Sequence, residues 1–344
     1  MEKSFTAFDK YSISADESIH LRCVPIFNNV RLKSLLMKSY KVACAQLSPI
    51  VFNKQRTVEK AAVWAERASS EGVDLLVFPE SFIPAYPAGL GFGTVVGSRT
   101  QAGREQFREY WENSVGVPGP VTDQIGKIAK QNRLYIVIGV TERDSINKTL
   151  YCTLLYFNPE GRLLGKHRKM KPTAAERVIW GEGNGTTLTT FDTKIGKIGG
   201  LICWENYMPL ARMAIYEKGT EIYIAPTADS RDSWISTMIH IAREGRCYVL
   251  GCNQYLTKQH YPDHIQSEIA ADRPEILSRG GSVIVSPMGE ILAGPLYNEE
   301  GLLTATISEK LLVESRMDFD VTGHYSRNDI FRFSVPDQPA IFRE

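Results

Sequence analysis

Hydrophobic residues recur along the chain with two periods, which together predict an α/β fold. From Lys41 onward, short apolar runs of strand length alternate with segments in which apolar residues return every three or four positions. The predicted strands lie at residues 42–47, 74–78, 134–140, 150–157, 163–167, 196–202, 221–225, 247–251, 282–286, 290–293 and 303–307. The predicted helices lie at residues 58–68, 121–131, 208–218 and 233–246. Strands that alternate with helices, with strand pairs in the middle and near the end, predict a layered α/β architecture with mixed sheets.

The same pattern divides the chain into three parts. Residues 1–39 are polar and show no sustained apolar period, which predicts an N-terminal arm that is flexible or forms an interface. Residues 40–315 carry the periodic segments and are predicted to form one domain. Residues 316–344 are predicted to form a C-terminal tail that contacts another subunit. Inside the domain, a stretch rich in Gly, Pro and Tyr at residues 83–103 predicts a long loop.

Composition and charge exclude several classes of partner. The chain has 40 basic and 39 acidic side chains and a formal net charge of +1, so nothing in its charge predicts binding to nucleic acid or to a membrane surface. No apolar run has the length needed to cross a bilayer. Six cysteines are too few for a disulfide scaffold in 344 residues, and the chain shows no secretory leader. These features predict a cytoplasmic protein with reduced thiols. Cys247 and Cys252 are expected on opposite faces of one buried strand.

Three predicted strands end at reactive side chains. The runs at residues 74–78, 163–167 and 196–202 lead to Glu80, Lys169 and Cys203. Strand ends hold side chains rigidly beside a cleft, where ligands of α/β sheets bind. A carboxylate, an amine and a thiol supply the base, the anion stabiliser and the nucleophile of acyl transfer. Taken singly, each has an ordinary alternative: a solvated loop carboxylate, a solvated run of charges and a core thiol.

The residues after Cys203 strengthen its assignment as the nucleophile. Residues 203–206 (CWEN) lead into Met208 and Pro209, where a helix is predicted to begin. A thiol at a strand-to-helix turn meets helical N–H groups and the positive end of the helix dipole, which predicts a lowered pKa for Cys203. The same N–H groups are suited to hold a developing anion.

Several motifs resemble those of the nitrilase superfamily, in particular its true-nitrilase branch. The resemblance covers residues 40–332 and is carried by residues 77–80 (VFPE), 167–169 (HRK), 201–206 (LICWEN) and 171–181 (KPTAAERVIWG). The family's glutamate–lysine–cysteine triad falls on Glu80, Lys169 and Cys203, and its further active-site glutamate falls on Glu176. Residues 323–329 (GHYSRND) resemble the C-terminal signature of nitrilases, which usually has proline where this chain has Asn328.

The resemblance implies a fold, an assembly and a reaction. The implied fold is an α-β-β-α sandwich with two mixed β-sheets that dimerises into an α-β-β-α-α-β-β-α assembly and associates further into spirals or filaments. Neither a metal nor an organic cofactor is implied. The reaction is hydrolysis of a nitrile to the carboxylic acid and ammonia, in which Cys203 attacks, Glu80 is the base and Lys169 stabilises the tetrahedral species with the backbone N–H of Trp204. Glu176 is expected to orient Lys169 or the substrate nitrogen.

Analogy to the family also suggests residues that line the substrate pocket. These are Tyr86, Trp111, Trp180, Trp204, Thr227, Trp234 and residues 251–255. Two other functions stay open at this point: an amidase or carbamoylase that uses the same triad, and a non-catalytic protein that keeps the fold for filament assembly. The nitrile itself is also open among aromatic, arylacetonitrile, aliphatic and cyanoalanine-like compounds.

Overall fold

The computed structural model describes residues 38–269 and 271–335. Most of the predicted N-terminal arm and the last nine residues of the predicted tail lie outside the described residues. The division into arm, domain and tail therefore stays a prediction. Within the described ranges, no helix is long and apolar enough to cross a membrane.

Fifteen strands and seven α-helices make up the described part of the chain. The strands are β1 (Ser39–Gln46), β2 (Leu75–Val77), β3 (Thr94–Val95), β4 (Ser98–Arg99), β5 (Tyr135–Arg143), β6 (Leu150–Phe157), β7 (Leu163–Arg168), β8 (Thr190–Thr193), β9 (Gly196–Gly200), β10 (Ile222–Ile224), β11 (Tyr248–Gly251), β12 (Tyr255–Thr257), β13 (Ile276–Val285), β14 (Ile291–Tyr297) and β15 (Gly301–Ser308). The helices are α1 (Lys54–Ser70), α2 (Gln101–Asn113), α3 (Pro120–Asn132), α4 (Pro209–Glu217), α5 (Asp232–Gly245), α6 (Asp263–Gln266) and α7 (Glu309–Asp318).

The strands form two large mixed sheets and one short hairpin. The first sheet has the order β15-β1-β2-β5-β6-β7, with β1, β2 and β5 parallel and the other pairs antiparallel. The second has the order β12-β13-β11-β10-β9-β8, with β14 paired to β13, and its parallel strands are β9, β10 and β11. Strands β3 and β4 form the hairpin.

The two large sheets pack face to face, and helices cover the outer face of each, so that the fold has four layers. Val42 and Cys44 of β1 belong to the core between the two sheets, whereas Ala43 belongs to the core under α1 and α3. In the second sheet, Cys252 faces the central core and Cys247 the core under α4 and α5. Successive residues of a strand point to opposite faces, so each sheet carries one helical layer outside. The predicted α-β-β-α sandwich is confirmed.

Three helices escaped the sequence analysis: the four-residue α6 and the longer α2 and α7. Helix α2 begins where a long loop was predicted to end, and only three of its residues are buried, Gly103, Gln106 and Tyr110. Helix α7 buries only Leu312 and Ser315. Because half or more of these buried positions are not hydrophobic, neither α2 nor α7 shows the apolar period from which a surface helix is recognised.

Gly139 of β5 lets the backbone after β2 approach closely. A Cβ at this position would lie 2.2 Å from the Pro79 carbonyl oxygen and 2.6 Å from the Ser81 nitrogen. We predict that Gly139→Ala lowers the free energy of unfolding by about 1–3 kcal/mol, because the backbone around Glu80 must shift. Urea unfolding measures this loss. Gly116→Ala is the matched control, since a Cβ at Gly116 meets nothing within 4 Å; equal effects of the two substitutions would contradict the prediction.

Candidate active site

The fold brings the three reactive strand ends together. Glu80 and Lys169 follow β2 and β7, which run in the same direction in the first sheet, and Cys203 follows β9 of the second sheet. The Lys169 Nζ lies 2.8 Å from Glu80 Oε1, and the Cys203 thiol lies close enough to Glu80 for the carboxylate to raise the pKa of the thiol. All three side chains are buried. A carboxylate, an ammonium group and a thiol thus meet where the two sheets face each other.

The Lys169 ammonium lies between two carboxylates. Its Nζ donates to Glu80 Oε1 at 2.8 Å and to Glu176 Oε2 at 2.7 Å. Burial lowers the pKa of Lys169, but the negative charges of Glu80 and Glu176 outweigh it and hold the pKa well above its usual value. Lys169 is therefore a fixed positive charge, suited to stabilise an anion and unsuited to act as a base.

Glu80 has a raised pKa. Burial is the main cause, and the charge of Glu176 adds to it, while Lys169 and the Cys203 thiol oppose it. The Glu80 Oε2 accepts from the backbone N–H of Ala228 at 3.0 Å, which fixes the orientation of the carboxylate. A carboxylate with a raised pKa is a better proton acceptor, as a general base requires.

Cys203 departs from the sequence analysis in its pKa. The pKa of the thiol is raised by burial and by the charge of Glu80, and the expectation of a lowered pKa is wrong. Helix α4 begins only at Pro209, and a 3₁₀ turn spans Cys203–Tyr207, so no long helix dipole acts at the sulfur. The Thr227 hydroxyl donates to Cys203 Sγ at 3.1 Å. The thiol therefore stays protonated until a neighbouring base accepts its proton.

A buried Glu205–His167 pair connects the strand ends that carry Lys169 and Cys203. Glu205 Oε2 lies 3.0 Å from His167 Nε2 and accepts from the Ile202 N–H at 2.9 Å, while Oε1 accepts from the Met170 N–H at 2.6 Å. Sequence analysis assigned neither residue a role. The one sequence signal for this pair was Glu205 itself, a carboxylate two positions after the Cys203 thiol. A carboxylate in such an apolar environment needs several hydrogen-bond partners.

A cavity of about 400 Å³ opens beside this cluster. Of the predicted pocket residues, Tyr86 lines it, and its hydroxyl donates to Glu176 Oε1 at 2.8 Å. Trp180 packs edge-on against the Tyr86 ring at 5.7 Å and lies 5.7 Å from the Lys169 Nζ. The wall also includes Ala228 and Gln254, the latter from the predicted segment 251–255.

The remaining predicted tryptophans have different environments. Trp204 is 39% exposed, and its Nε1 donates to Asp229 Oδ2 at 2.9 Å. Trp111 is covered by the Arg143 guanidinium at 4.6 Å and is not part of the cavity wall. Trp234 is fully buried in the core under α4 and α5, so its prediction as a pocket residue is wrong. The apolar face of α5 points this side chain toward the outer side of the second sheet.

No group of three or more His, Cys, Asp or Glu side chains in residues 38–269 and 271–335 is arranged to hold a metal ion. A metal-free and cofactor-free reaction stays a prediction from the family resemblance.

The four-layer sandwich with a thiol, a carboxylate and an ammonium group at facing strand ends has the architecture of a nitrilase-like, thiol-dependent hydrolase. The chain belongs to the carbon-nitrogen hydrolase family, whose model matches residues 41–317. The predicted membership of the nitrilase superfamily is thereby confirmed.

Curated relatives and a solved structure agree with this assignment. The chain is 46% identical over 303 residues to an aliphatic nitrilase of Sinorhizobium fredii (strain HH103). This match covers 88% of this chain and 97% of that protein. It is 46% identical over 322 residues to a bifunctional nitrilase/nitrile hydratase of Lupinus angustifolius, over 92% of this chain and 91% of the relative. The crystal structure of Saccharomyces cerevisiae Nit3, a member of branch 10 of the nitrilase superfamily, superposes with a TM-score of 0.66 and 25% identity, over 84% of this chain and 97% of that one. The relatives named as nitrilases support the predicted true-nitrilase branch.

The Glu205 pair predicts a pH-dependent contribution to stability. Burial raises the pKa of Glu205, but the His167 contacts and two backbone N–H donors outweigh it and hold the pKa below its usual value of 4.5. A lowered folded-state pKa means that the stabilisation is present above about pH 4.5 and is lost as the pH falls through the folded value. We predict that Glu205→Gln lowers the free energy of unfolding by about 1–3 kcal/mol at pH 7, because a buried donor loses its acceptor.

Urea unfolding of both proteins between pH 7 and pH 3 measures the difference, which should shrink below about pH 4.5. Glu182→Gln is the control, because the Glu182 pair with Lys171 is about half exposed and such pairs contribute little. A difference between Glu205→Gln and wild type that is independent of pH would contradict the prediction.

Proposed function

We propose that this protein hydrolyses small organic nitriles to carboxylic acids and ammonia through a covalent intermediate on Cys203. The relatives named as nitrilases, which match nearly the whole domain, confirm the reaction class predicted from the sequence. The observation that carries the residue assignment is the buried contact of the Lys169 ammonium with Glu80, beside the Cys203 thiol whose pKa the same carboxylate raises.

The first half of the reaction forms the covalent intermediate. Glu80 accepts the proton of the Cys203 thiol while the sulfur attacks the nitrile carbon, and the proton passes to the nitrile nitrogen. The product is a thioimidate. Because burial raises the pKa of the thiol, the proton leaves only as the sulfur attacks, and Glu80, whose pKa is also raised, is matched to accept it.

The second half releases ammonia and then the acid. Water deprotonated by Glu80 adds to the thioimidate carbon, ammonia departs and a thioester remains. A second water molecule hydrolyses the thioester, which frees the carboxylic acid and restores the thiol. The Lys169 ammonium and the Trp204 backbone N–H stabilise the tetrahedral species, and Glu176 and Tyr86 hold Lys169 in place.

Substitution of the three residues tests this assignment. We predict no ammonia from Cys203→Ala and a loss of about 10²-fold or more for Lys169→Ala and Glu80→Gln, because such groups act as a unit. The measurement is ammonia release from a panel of small nitriles and amides, with acid and amide products separated by chromatography. Cooperative urea unfolding verifies that each variant folds.

Cys247→Ala is the matched control, since this thiol is equally buried but lies in the outer core. It should retain ammonia release within about 3-fold of wild type. Most of the activity surviving in Glu80→Gln would refute the base assignment. Ammonia only from amides would support the amidase alternative, and none from either substrate by the folded wild-type chain would support the non-catalytic alternative.

Self-association and a cytoplasmic location are further parts of the proposal. Tyr207, Met208 and Leu210 are exposed by 41%, 38% and 71% at the start of α4, and an exposed apolar cluster of this kind favours a protein interface. The five described cysteines are free thiols, as in a reducing compartment. A dimer that extends into spiral oligomers accounts for the cluster.

We predict that the wild-type chain has at least twice the 38.6 kDa mass of one chain in light scattering. Leu210→Lys should lower the mass, because a charge in an apolar interface is desolvated without a partner. Val63→Lys, at an apolar position of α1 exposed by 65%, is the control and should leave the mass unchanged. A monomeric wild-type chain would refute self-association.

A further inference from the structure

Gln254 is a buried polar residue of the cavity wall whose side chain has no partner in the described part of the chain. It is 0% exposed, and neither its Nε2 nor its Oε1 makes a hydrogen bond there. Buried amide groups in folded proteins are nearly always hydrogen-bonded, because losing water without a replacement partner costs free energy. An orphaned donor and acceptor on a cavity wall therefore indicate that a ligand or an ordered water completes them.

The backbone of Gln254 is held rigidly, so the amide is presented in a fixed position. Its N–H donates to Asn253 Oδ1 at 2.9 Å, and its carbonyl accepts from Ser278 Oγ at 2.7 Å. Asn253 is itself anchored, since its Nδ2 donates to the carbonyl oxygens of Asp229 and Gly280, both at 2.8 Å. A side chain on such a support binds a ligand with little loss of conformational freedom.

The cavity that Gln254 lines lies beside the proposed reaction centre. Its wall includes Glu176, which accepts from the Lys169 ammonium, and Ala228, whose N–H donates to Glu80. Asn253, the residue before Gln254, pairs with Thr227, which donates to the Cys203 sulfur. A molecule that reacts at Cys203 therefore extends along a wall that contains the Gln254 amide.

Two charged side chains line this cavity, Glu176 and Arg273. The charge of Glu176 is compensated by Lys169 at 2.7 Å. Arg273 lies beside Gly89, where a Cβ would meet its Cγ at 3.7 Å. Arg273 is exposed and its guanidinium group cannot lose its charge, so the part of the cavity that Arg273 lines favours a negative group.

We propose that Gln254 and Arg273 bind a carboxylate at the end of the substrate remote from the nitrile, so that the preferred substrates are small ω-cyanocarboxylates. This inference rests on the proposed nitrile hydrolysis and specifies its substrate class. Gln254 Nε2 and the Arg273 guanidinium donate to the carboxylate. Gln254 Oε1 accepts from a water molecule or from a donor group on the substrate carbon next to the carboxylate. Gln254 is thus a specificity-determining residue that takes no part in bond breaking.

Binding to the inactive Cys203→Ala protein tests the inference without turnover. The ligands are 3-cyanopropanoate and the uncharged pentanenitrile, measured by calorimetry. We expect 3-cyanopropanoate to bind at least about 10-fold more tightly, and Gln254→Met in this background to weaken it by about 10- to 100-fold, the usual effect of losing a hydrogen bond to a charged group. Pentanenitrile should change by less than about 3-fold, because methionine keeps the length and volume of the side chain. Arg273→Met should act in the same direction as Gln254→Met.

Gln106→Met is the matched control, because Gln106 is also buried with an unpaired Nε2 but lies on α2 outside the cavity wall. It should leave the ratio of the two affinities unchanged. Equal binding of the two ligands to Cys203→Ala, or equal weakening of both by Gln254→Met, would overturn the inference.

The same two nitriles, tested for ammonia release by the protein with Cys203 intact, separate this inference from the proposed function. Selective binding of 3-cyanopropanoate without ammonia release would refute nitrile hydrolysis and leave the carboxylate site standing. Ammonia release with equal kcat/KM for the two nitriles would uphold the reaction and refute the carboxylate site.

Discussion

The structure depends on one buried positive charge, the Lys169 ammonium, which is held between the carboxylates of Glu80 and Glu176. Charges removed from water are tolerated only when each is paired and hydrogen-bonded, so all three groups must be placed accurately. The two contacts of 2.8 and 2.7 Å meet this requirement. The excess of negative charge has a chemical consequence, because together with burial it raises the pKa of both Glu80 and the Cys203 thiol.

The rest of the fold brings these groups together from different sheets. Glu80 and Lys169 follow strands of the first sheet and Cys203 follows a strand of the second, so the cluster exists only where the sheets pack against each other. The Glu205 carboxylate links the strand ends on both sides through His167, Met170 and Ile202. Gly139 allows the backbone that carries Glu80 to lie close to β5. Substitutions that touch no reacting atom can therefore still displace the reactive groups.

Reaction and selectivity are assigned to different parts of the same cavity. The reaction centre combines a thiol with an ammonium group and two carboxylates, and any small nitrile has the atoms it requires. At the proposed carboxylate site, Gln254 and Arg273 of the cavity wall add a requirement for a charged, hydrogen-bonding group. A polar site discriminates more strongly than an apolar one, because the wrong ligand leaves its buried groups unpaired. Relatives with the same reactive residues can thus differ in substrate through a few wall positions.

The sequence by itself predicted most strands of the two large sheets, the helices α1, α3, α4 and α5 and the candidate reactive residues, because these depend on local periodicity and on motifs of a few residues. The apolar runs that lead to Glu80, Lys169 and Cys203 are strands in the structure, of which β2 is buried throughout, β9 in its last three residues and β7 only at His167. Helix α2 and the Glu205 pair were missed, since polar residues that are buried leave no hydrophobic period. The prediction that Trp234 lines the pocket was wrong, because an aromatic residue on an amphipathic helix gives the same sequence pattern whether it faces a core or a cavity. Only the tertiary structure decided that the strand ends meet, that the thiol has a raised pKa and that Gln254 faces the cavity, because distance and burial depend on contacts between residues far apart in the chain.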